Sequence, residues 1–190
     1  MLRPGNARRP GAHRQLLLTA MADRIRNVLF LCTGNSARSI LAEALLNHDA
    51  TGRFHAFSAG SHPKGEPHPM ALAVLAEHGL AVDGLRSKPW EEYSAAGAPE
   101  MDLIITVCDS AAGETCPIWP GHPTTAHWGI EDPAAVEGPG QRQAFVNALS
   151  YIRNRISLLL ALREDQLDEL QWGERVREIG KVEDGGGSAG

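Results

Sequence analysis

The chain has 190 residues, 43% of them hydrophobic, and a net charge of −5 from 23 acidic and 18 basic side chains. That supplies one sizeable core with some tail left over, and no stretch approaches the roughly 20 apolar residues that cross a bilayer. No basic cluster is present to neutralise phosphates, so neither nucleic acid nor a membrane is expected as a partner. Three cysteines, Cys32, Cys108 and Cys116, are too few and too odd in number for a secreted disulfide framework. They imply a reducing compartment, the cytoplasm.

At the start, Arg3, Arg8, Arg9 and Arg14 precede the run Leu-Leu-Leu-Thr-Ala-Met-Ala at 16–22. The pattern loosely mimics a signal peptide, with an apolar run at the bottom of the usual length of about 7–15 residues. An upstream extension, with Met21 as an alternative start, is the preferred reading, and residues 1–24 are expected to be disordered. Residues 27–31, Asn-Val-Leu-Phe-Leu, read as a strand buried on both faces. A helix follows over 39–48, with Ile40, Leu41, Ala44 and Leu45 at helical spacing. Residues 53–58 alternate weakly as a second strand, and 60–69, rich in Gly and Pro, read as a loop. Residues 70–78 predict a helix with Gly79 placed to stop it. Another strand is expected over 102–107, an irregular loop over 109–123 and a short strand over 124–128. Phe145, Leu149, Ile152, Ile156 and Leu159 mark a long amphipathic helix over 141–162. From residue 164 to 190 a polar tail is expected, with a short surface helix carrying Leu167, Leu170, Trp172 and Val176 before disorder. Alternating strands and helices argue for an α/β domain with a parallel sheet.

The segment Cys32-Thr33-Gly34-Asn35-Ser36-Ala37-Arg38-Ser39 lies between the first strand and the first helix. Ligands of parallel sheets gather at the carboxyl ends of the strands. A helix N-terminus there offers unpaired N–H groups and the positive end of a dipole. Thr33, Gly34, Asn35, Ser36 and Ala37 are small or polar and can wrap their N–H groups around three oxygens of a tetrahedral oxyanion. Gly34 is expected to supply the positive φ of that wrap. Arg38 offers a bidentate, permanently charged clamp. Cys32 sits at the bottom as a nucleophile, and its ionisation is expected to fall from about 8.5 into the range of roughly 3.5–7.5. Ser39 is placed to donate to the sulfur and Asn35 to bridge loop carbonyls. The plainer alternative is a small buried cysteine with Arg38 in a surface ion pair. The preceding strand, the Gly and Asn within the loop and the helix behind it favour the site.

The run Val28-Leu29-Phe30-Leu31-Cys32-Thr33-Gly34-Asn35-Ser36-Ala37-Arg38-Ser39 resembles the signature of the low-molecular-weight protein tyrosine phosphatase superfamily. Within it the chain is similar to the arsenate reductases built on that fold. Ser58-Ala59-Gly60, then Thr106-Val107-Cys108 running to Cys116-Pro117, then His127-Trp128-Gly129-Ile130-Glu131-Asp132-Pro133 carry the narrower resemblance. It spans 27–162. It implies a low-molecular-weight phosphatase-like, three-layer α/β/α catalytic domain over 25–163 with a central four-stranded parallel sheet. The implied activity is thiol-dependent reduction of arsenate to arsenite. The alternatives are hydrolysis of phosphomonoesters, phosphotyrosine above all, and an oxyanion-binding module without turnover.

By the same resemblance Asp132 is the general acid, restricted in conformation by Pro133. On its residues alone, Asp-Pro is equally a turn. Cys108 is implied as the thiol that attacks Cys32. Cys116 is implied to attack Cys108, leaving a Cys108–Cys116 disulfide for thioredoxin or for glutathione with glutaredoxin. No bound cofactor is implied. The Cys108 to Cys116 separation is one residue longer than in the best-known thioredoxin-coupled members, so a small thiol could take the place of Cys116. Two buried structural cysteines remain the alternative. Ala134 and Ala135 stand where phosphotyrosine enzymes of this superfamily carry aromatics. Glu43, Ser58 and Asn35 match a monovalent-cation site of some arsenate reductases, and Lys88 replaces the remaining carboxylate, so its ammonium is expected in the cation's place.

The eight histidines, His48, His55, His62, His68 and His78 among them, are expected to be solvated or locally bonded. A metal site from Cys108, Cys116, His122 and His127 is disfavoured, because the cysteines are too widely spaced. Trp119 and Trp128 flank the expected site.

Overall fold

The computed structural model describes residues 24–50, 52–114 and 117–182. The first apolar run forms β1 (Arg26–Cys32), in which Val28, Leu29, Phe30 and Leu31 are fully buried. Burial on both faces is what a central parallel strand experiences. β2 (Phe54–Gly60) and β3 (Leu103–Thr106) flank it, and β4 (Thr124–His127) pairs with β3. Every pairing is parallel, in the order β2-β1-β3-β4. The register sets Cys32 opposite Gly60, Leu31 opposite Thr106, and Thr106 opposite His127. The carboxyl ends of all four strands therefore share one edge, where the site is built.

The helices are α1 (Arg38–Asp49), α2 (Pro69–Glu77), α3 (Glu91–Ser94), α4 (Asp109–Gly113), α5 (Gln141–Ala161) and α6 (Glu169–Ile179). Side chains of a strand alternate between faces. Val28 and Phe30 accordingly join Ile40, Leu41, Leu45, Phe145 and Ile152 in the larger core cluster. Leu29 and Leu31 point the other way, onto Trp90, Tyr93, Ile104 and Trp119. This is the expected three-layer α/β/α architecture around a four-stranded sheet. α1 and α5 cover one face, while α3 and loops cover the other more thinly.

Two local expectations change. Residues 109–123 do not begin as irregular loop. α4 starts at Asp109, because the Cys108 sulfur accepts the Ala111 N–H at 3.4 Å and so caps it. The Gly and Pro residues that suggested irregularity fall at its end and beyond. The expected surface helix near the C-terminus is docked: Trp172 and Val176 in α6 are buried, whereas Leu170 is exposed. A capping box between Asp168 and Gln171 starts α6. The Arg26 guanidinium lies 4.3 Å over the Trp172 ring. No helix among the described residues is long and apolar enough to cross a membrane.

Candidate active site

At the end of β1 the chain turns through Thr33–Ala37 into α1. α1 has no side-chain cap and no acidic residue in its first turn. Its first N–H groups and the positive end of its dipole are thus left for an anion. They border a cavity of about 270 Å³ whose walls include Cys32, Thr33, Gly34, Ser36, Ala37 and Arg38. The expected loop residues are brought together here, with Asn35 and Ser39 buried behind them.

The conformational role assigned to Gly34 belongs to Asn35, which takes the left-handed φ of 40°. Asn tolerates that region better than other side chains do. Gly34 is small for a different reason: a Cβ there would sit 3.3 Å from the stem of Lys64, which crosses over it. Asn35 also does not bridge loop carbonyls. Its Oδ1 accepts the Lys88 N–H at 2.8 Å, and its Nδ2 donates to Ser39 Oγ at 2.9 Å and Ser58 Oγ at 2.8 Å. The loop carbonyls are instead held by the segment after β2. The N–H groups of His62, Lys64 and His68 donate to the carbonyls of Thr33, Gly34 and Ser36. With those carbonyls turned outward, the loop N–H groups face the cavity.

Cys32 Sγ lies 2.9 Å from Ser39 Oγ and accepts the Asn35 N–H at 3.2 Å. Asn35 already donates to Ser39 Oγ, which leaves the Ser39 hydroxyl proton free to point at sulfur. Even so, burial works against the expected fall in ionisation. Burial pushes the Cys32 thiol above its ordinary value, against the pull of Ser39, and the nearby Cys108 adds to the rise while Arg38 opposes it. The physical reason is desolvation: only 4% of Cys32 is exposed, and a thiolate there loses its water.

Arg38 is turned toward the segment after β4. Its Nη1 donates to the Ile130 carbonyl at 2.8 Å, and its Nη2 lies 3.3 Å from Asp132 Oδ2. Asp132 lines the same cavity as Cys32. Its Oδ1 accepts the Ala134 N–H at 3.1 Å, capping the turn Pro133–Ala135, so the Asp-Pro pair forms a turn and faces the cradle at once.

Residues 27–171 match the family model described as low molecular weight phosphotyrosine protein phosphatase. The chain belongs to this family. It is 35% identical over 117 residues to the arsenate reductase of Bacillus licheniformis, covering 60% of this chain and 78% of that one. A solved structure titled an arsenate reductase in the phosphate binding state superposes with a TM-score of 0.60 at 27% identity, over 72% of this chain and 97% of the other. A thioredoxin-dependent arsenate reductase of Corynebacterium glutamicum gives 0.50 at 28% identity, over 75% and 68%.

In this family member the second thiol lies beside the cradle. Cys108 is buried and reduced, with its sulfur 3.8 Å from Thr33 Oγ1. The same hydroxyl donates to Glu114 Oε1 at 3.3 Å. Cys116 lies outside the described residues. Among the described residues no three His, Cys, Asp or Glu side chains converge as metal ligands. Trp119 packs in the smaller core cluster and Trp128 in the larger. Glu43, Ser58 and Lys88 do meet. The Lys88 ammonium is 3.3 Å from Glu43 Oε2 and 3.5 Å from Ser58 Oγ, and it donates to the Arg86 carbonyl at 3.1 Å. Ser58 also donates to Glu43. Burial lowers the Lys88 ionisation, and Glu43 counters it.

No sequence motif marks His62, Lys64 or Ser110, which complete the cavity wall. His62 and Lys64 lie in the loop after β2 rather than in a motif. The usable signal was Gly60. A Cβ there would meet the Thr33 carbonyl at 2.5 Å, so the chain after β2 must run against the cradle.

Proposed function

We propose that this chain reduces arsenate to arsenite by thiol chemistry that begins at Cys32. One observation carries the proposal: a second reduced thiol, Cys108, stands within 3.8 Å of the cradle residue Thr33. Hydrolysis needs one nucleophilic sulfur, whereas reduction needs a second to take the first one's place. The similarity to relatives named arsenate reductases supports the same choice.

Arsenate would bind with three oxygens on the N–H groups of 33–38 and on Arg38. The Cys32 sulfur attacks arsenic, and the opposite oxygen leaves as water with a proton from Asp132. A raised thiol ionisation is compatible with this step. A neutral thiol with a dianionic arsenate carries the same number of protons as a thiolate with the monoanion, so the proton passes to the oxyanion on attack. Cys108 then attacks the Cys32 sulfur. The sulfur–arsenic bond breaks, its electron pair stays on arsenic, and arsenite leaves a Cys32–Cys108 disulfide. Cys116 or a small thiol attacks Cys108 and frees Cys32. An external dithiol or thiol returns the enzyme to its starting state. The thioredoxin-dependent neighbour favours thioredoxin over glutathione with glutaredoxin, and the reducing cytoplasm supplies either.

Phosphomonoester hydrolysis through a phosphocysteine is the second reading, favoured by the family match itself. Against it, the described residues that line the cavity include no Phe, Tyr or Trp to form a wall for a phosphotyrosine ring. The deciding experiment is NADPH-coupled turnover with arsenate, comparing thioredoxin with glutathione plus glutaredoxin. Cys32→Ser and Cys108→Ser should abolish it, and Cys116→Ser should abolish it with thioredoxin. Intact turnover in both Cys108→Ser and Cys116→Ser, alongside fast aryl phosphate hydrolysis, would hand the assignment to the phosphatase.

A further inference from the structure

We propose that α6 is a working part of the active site: through Trp128 and Arg155 it fixes the segment 128–132 that orients Arg38 and presents Asp132. The inference rests on the roles given above to Arg38 and Asp132. The family match stops at residue 171, so most of α6 and the turn after it lie past it.

The segment 128–130 is tied at every residue. The Trp128 N–H donates to the Thr106 carbonyl at 2.8 Å, and the Ile130 N–H to the Val107 carbonyl at 3.2 Å. Those two bonds come from β3 and the residue after it. The remaining ties come from the C-terminal region. The Trp128 indole N–H donates to the Val176 carbonyl in α6 at 3.1 Å. Arg155 of α5 donates from Nη1 to the Gly129 carbonyl at 3.2 Å and from Nη2 to the Val182 carbonyl at 3.5 Å, joining the chain after α6 to the acid segment. Trp128 and Arg155 are nearly fully buried, so water does not compete for these bonds. The segment's next carbonyl, on Ile130, is the one that holds Arg38 at 2.8 Å.

Gly180 shows how close the approach is. Its φ of −65° is one that any residue adopts, so backbone freedom does not require glycine there. Space does: a Cβ would collide with the His127 carbonyl and sit 2.8 Å from the Trp128 ring. α6 also grips the adjacent strand, with Arg177 Nε donating to the Thr125 carbonyl at 3.2 Å. Together these contacts place the C-terminal helix one residue's width behind the segment that carries Arg38's anchor.

Trp128→Phe keeps a smaller aromatic side chain and loses the bond to α6, and Gly180→Ala forces the two apart. Leu159→Ala is the control: it disturbs the core where Arg53 meets the end of α5, at the opposite edge of the sheet. Inorganic phosphate affinity, arsenate kcat and KM, and the pH profile of Cys32 alkylation are measured well below each variant's thermal midpoint. Trp128→Phe and Gly180→Ala should lose about 10- to 100-fold in kcat/KM, the scale of a small misplacement of reacting groups. They should also bind phosphate more weakly and shift Cys32 alkylation to higher pH, because Arg38 loses its fixed aim. Leu159→Ala should keep all three despite an equal or larger fall in thermal midpoint. Wild-type phosphate affinity and turnover in folded Trp128→Phe would overturn the inference, and this variant decides alone if Gly180→Ala does not fold. If Asp132→Asn also leaves turnover intact, the roles given to the site fail with it. If Asp132→Asn is slow while Trp128→Phe is not, only the part given to α6 fails.

Discussion

Arg38 Nη2 lies 3.3 Å from Asp132 Oδ2 across the mouth of the cradle. The pair ties the anion clamp to the proposed proton donor, although Asp132 is 42% exposed and the pair on its own adds little stability. In the proposed reaction an arriving oxyanion would compete with Asp132 for the guanidinium. Asp132→Asn should therefore lower kcat by about 100-fold or more, the usual range for a lost general acid. Phosphate affinity should be held or improved, since a carboxylate that repels the anion is gone. Steady-state arsenate kinetics and a phosphate titration check the two halves; unchanged kcat removes Asp132 from the mechanism.

Burial raises the Cys32 ionisation, and this has a measurable sign. A thiol whose folded value lies above its unfolded value of about 8.5 favours the native state at neutral pH. That contribution is complete below the ordinary thiol range and is lost as pH climbs through the folded value. Wild-type stability should consequently fall relative to Cys32→Ser as pH rises above about 8.5, measured by urea unfolding. Alkylation of Cys32 in the phosphate-free protein should titrate above an ordinary thiol. A midpoint near neutrality would mean that the Asn35 amide, Ser39 and the α1 dipole outweigh desolvation.

How much of this was visible in the residues depends on distance along the chain. The strand, the loop 32–38 and α1 were legible because apolar run, small residues and helical spacing adjoin in one segment. The work of Asn35 was not, because its partners Ser58 and Lys88 lie 23 and 53 residues away and reach it only once β2 and the following loop are in place. The burial that opposes thiolate at Cys32 was hidden for the same reason. Local donors can be read from a motif, but the depth of Cys32 comes from packing by the whole domain. α4 was hidden because its cap is a cysteine sulfur, which no ordinary capping pattern announces.

Two glycines of the site should respond unequally to a methyl group. At Gly60 the new Cβ meets the Thr33 carbonyl at 2.5 Å and the Asn35 backbone nitrogen at 3.0 Å, both rigid parts of the cradle. Gly60→Ala should cost about 1–3 kcal/mol, the usual penalty of overpacking, and weaken phosphate binding with it. At Gly34 the atoms nearest the Cβ belong to the stem of Lys64, from 3.3 Å, which can move aside. Gly34→Ala should change stability by no more than about 0.5 kcal/mol, as for an ordinary surface change. Urea unfolding of the two variants, run side by side, checks the contrast; equal losses would mean that Gly34 is constrained by more than Lys64.

Lys88 should make the cradle's support independent of potassium. Its ammonium lies 3.3 Å from Glu43, and the side chains of Lys88 and Glu43 are only 4% and 13% exposed. Asn35 is held from the same residue through the Lys88 backbone N–H. Wild-type stability and arsenate turnover should respond to potassium chloride no differently than to tetramethylammonium chloride, which supplies equal ionic strength without a small cation. Lys88→Ala leaves Glu43 buried without its cation, and breaking such a pair from one side costs about 3 kcal/mol or more. The vacated space borders Glu43 and the Ser58 hydroxyl, both oxygen donors suited to a monovalent ion. Potassium should accordingly recover part of the lost stability and turnover of Lys88→Ala, and tetramethylammonium should not. A specific potassium effect on the wild type would mean that the ammonium does not fill the cation's place. Identical responses of Lys88→Ala to both salts would mean that Glu43 is neutralised in some other way, by protonation or by a shift of Arg86.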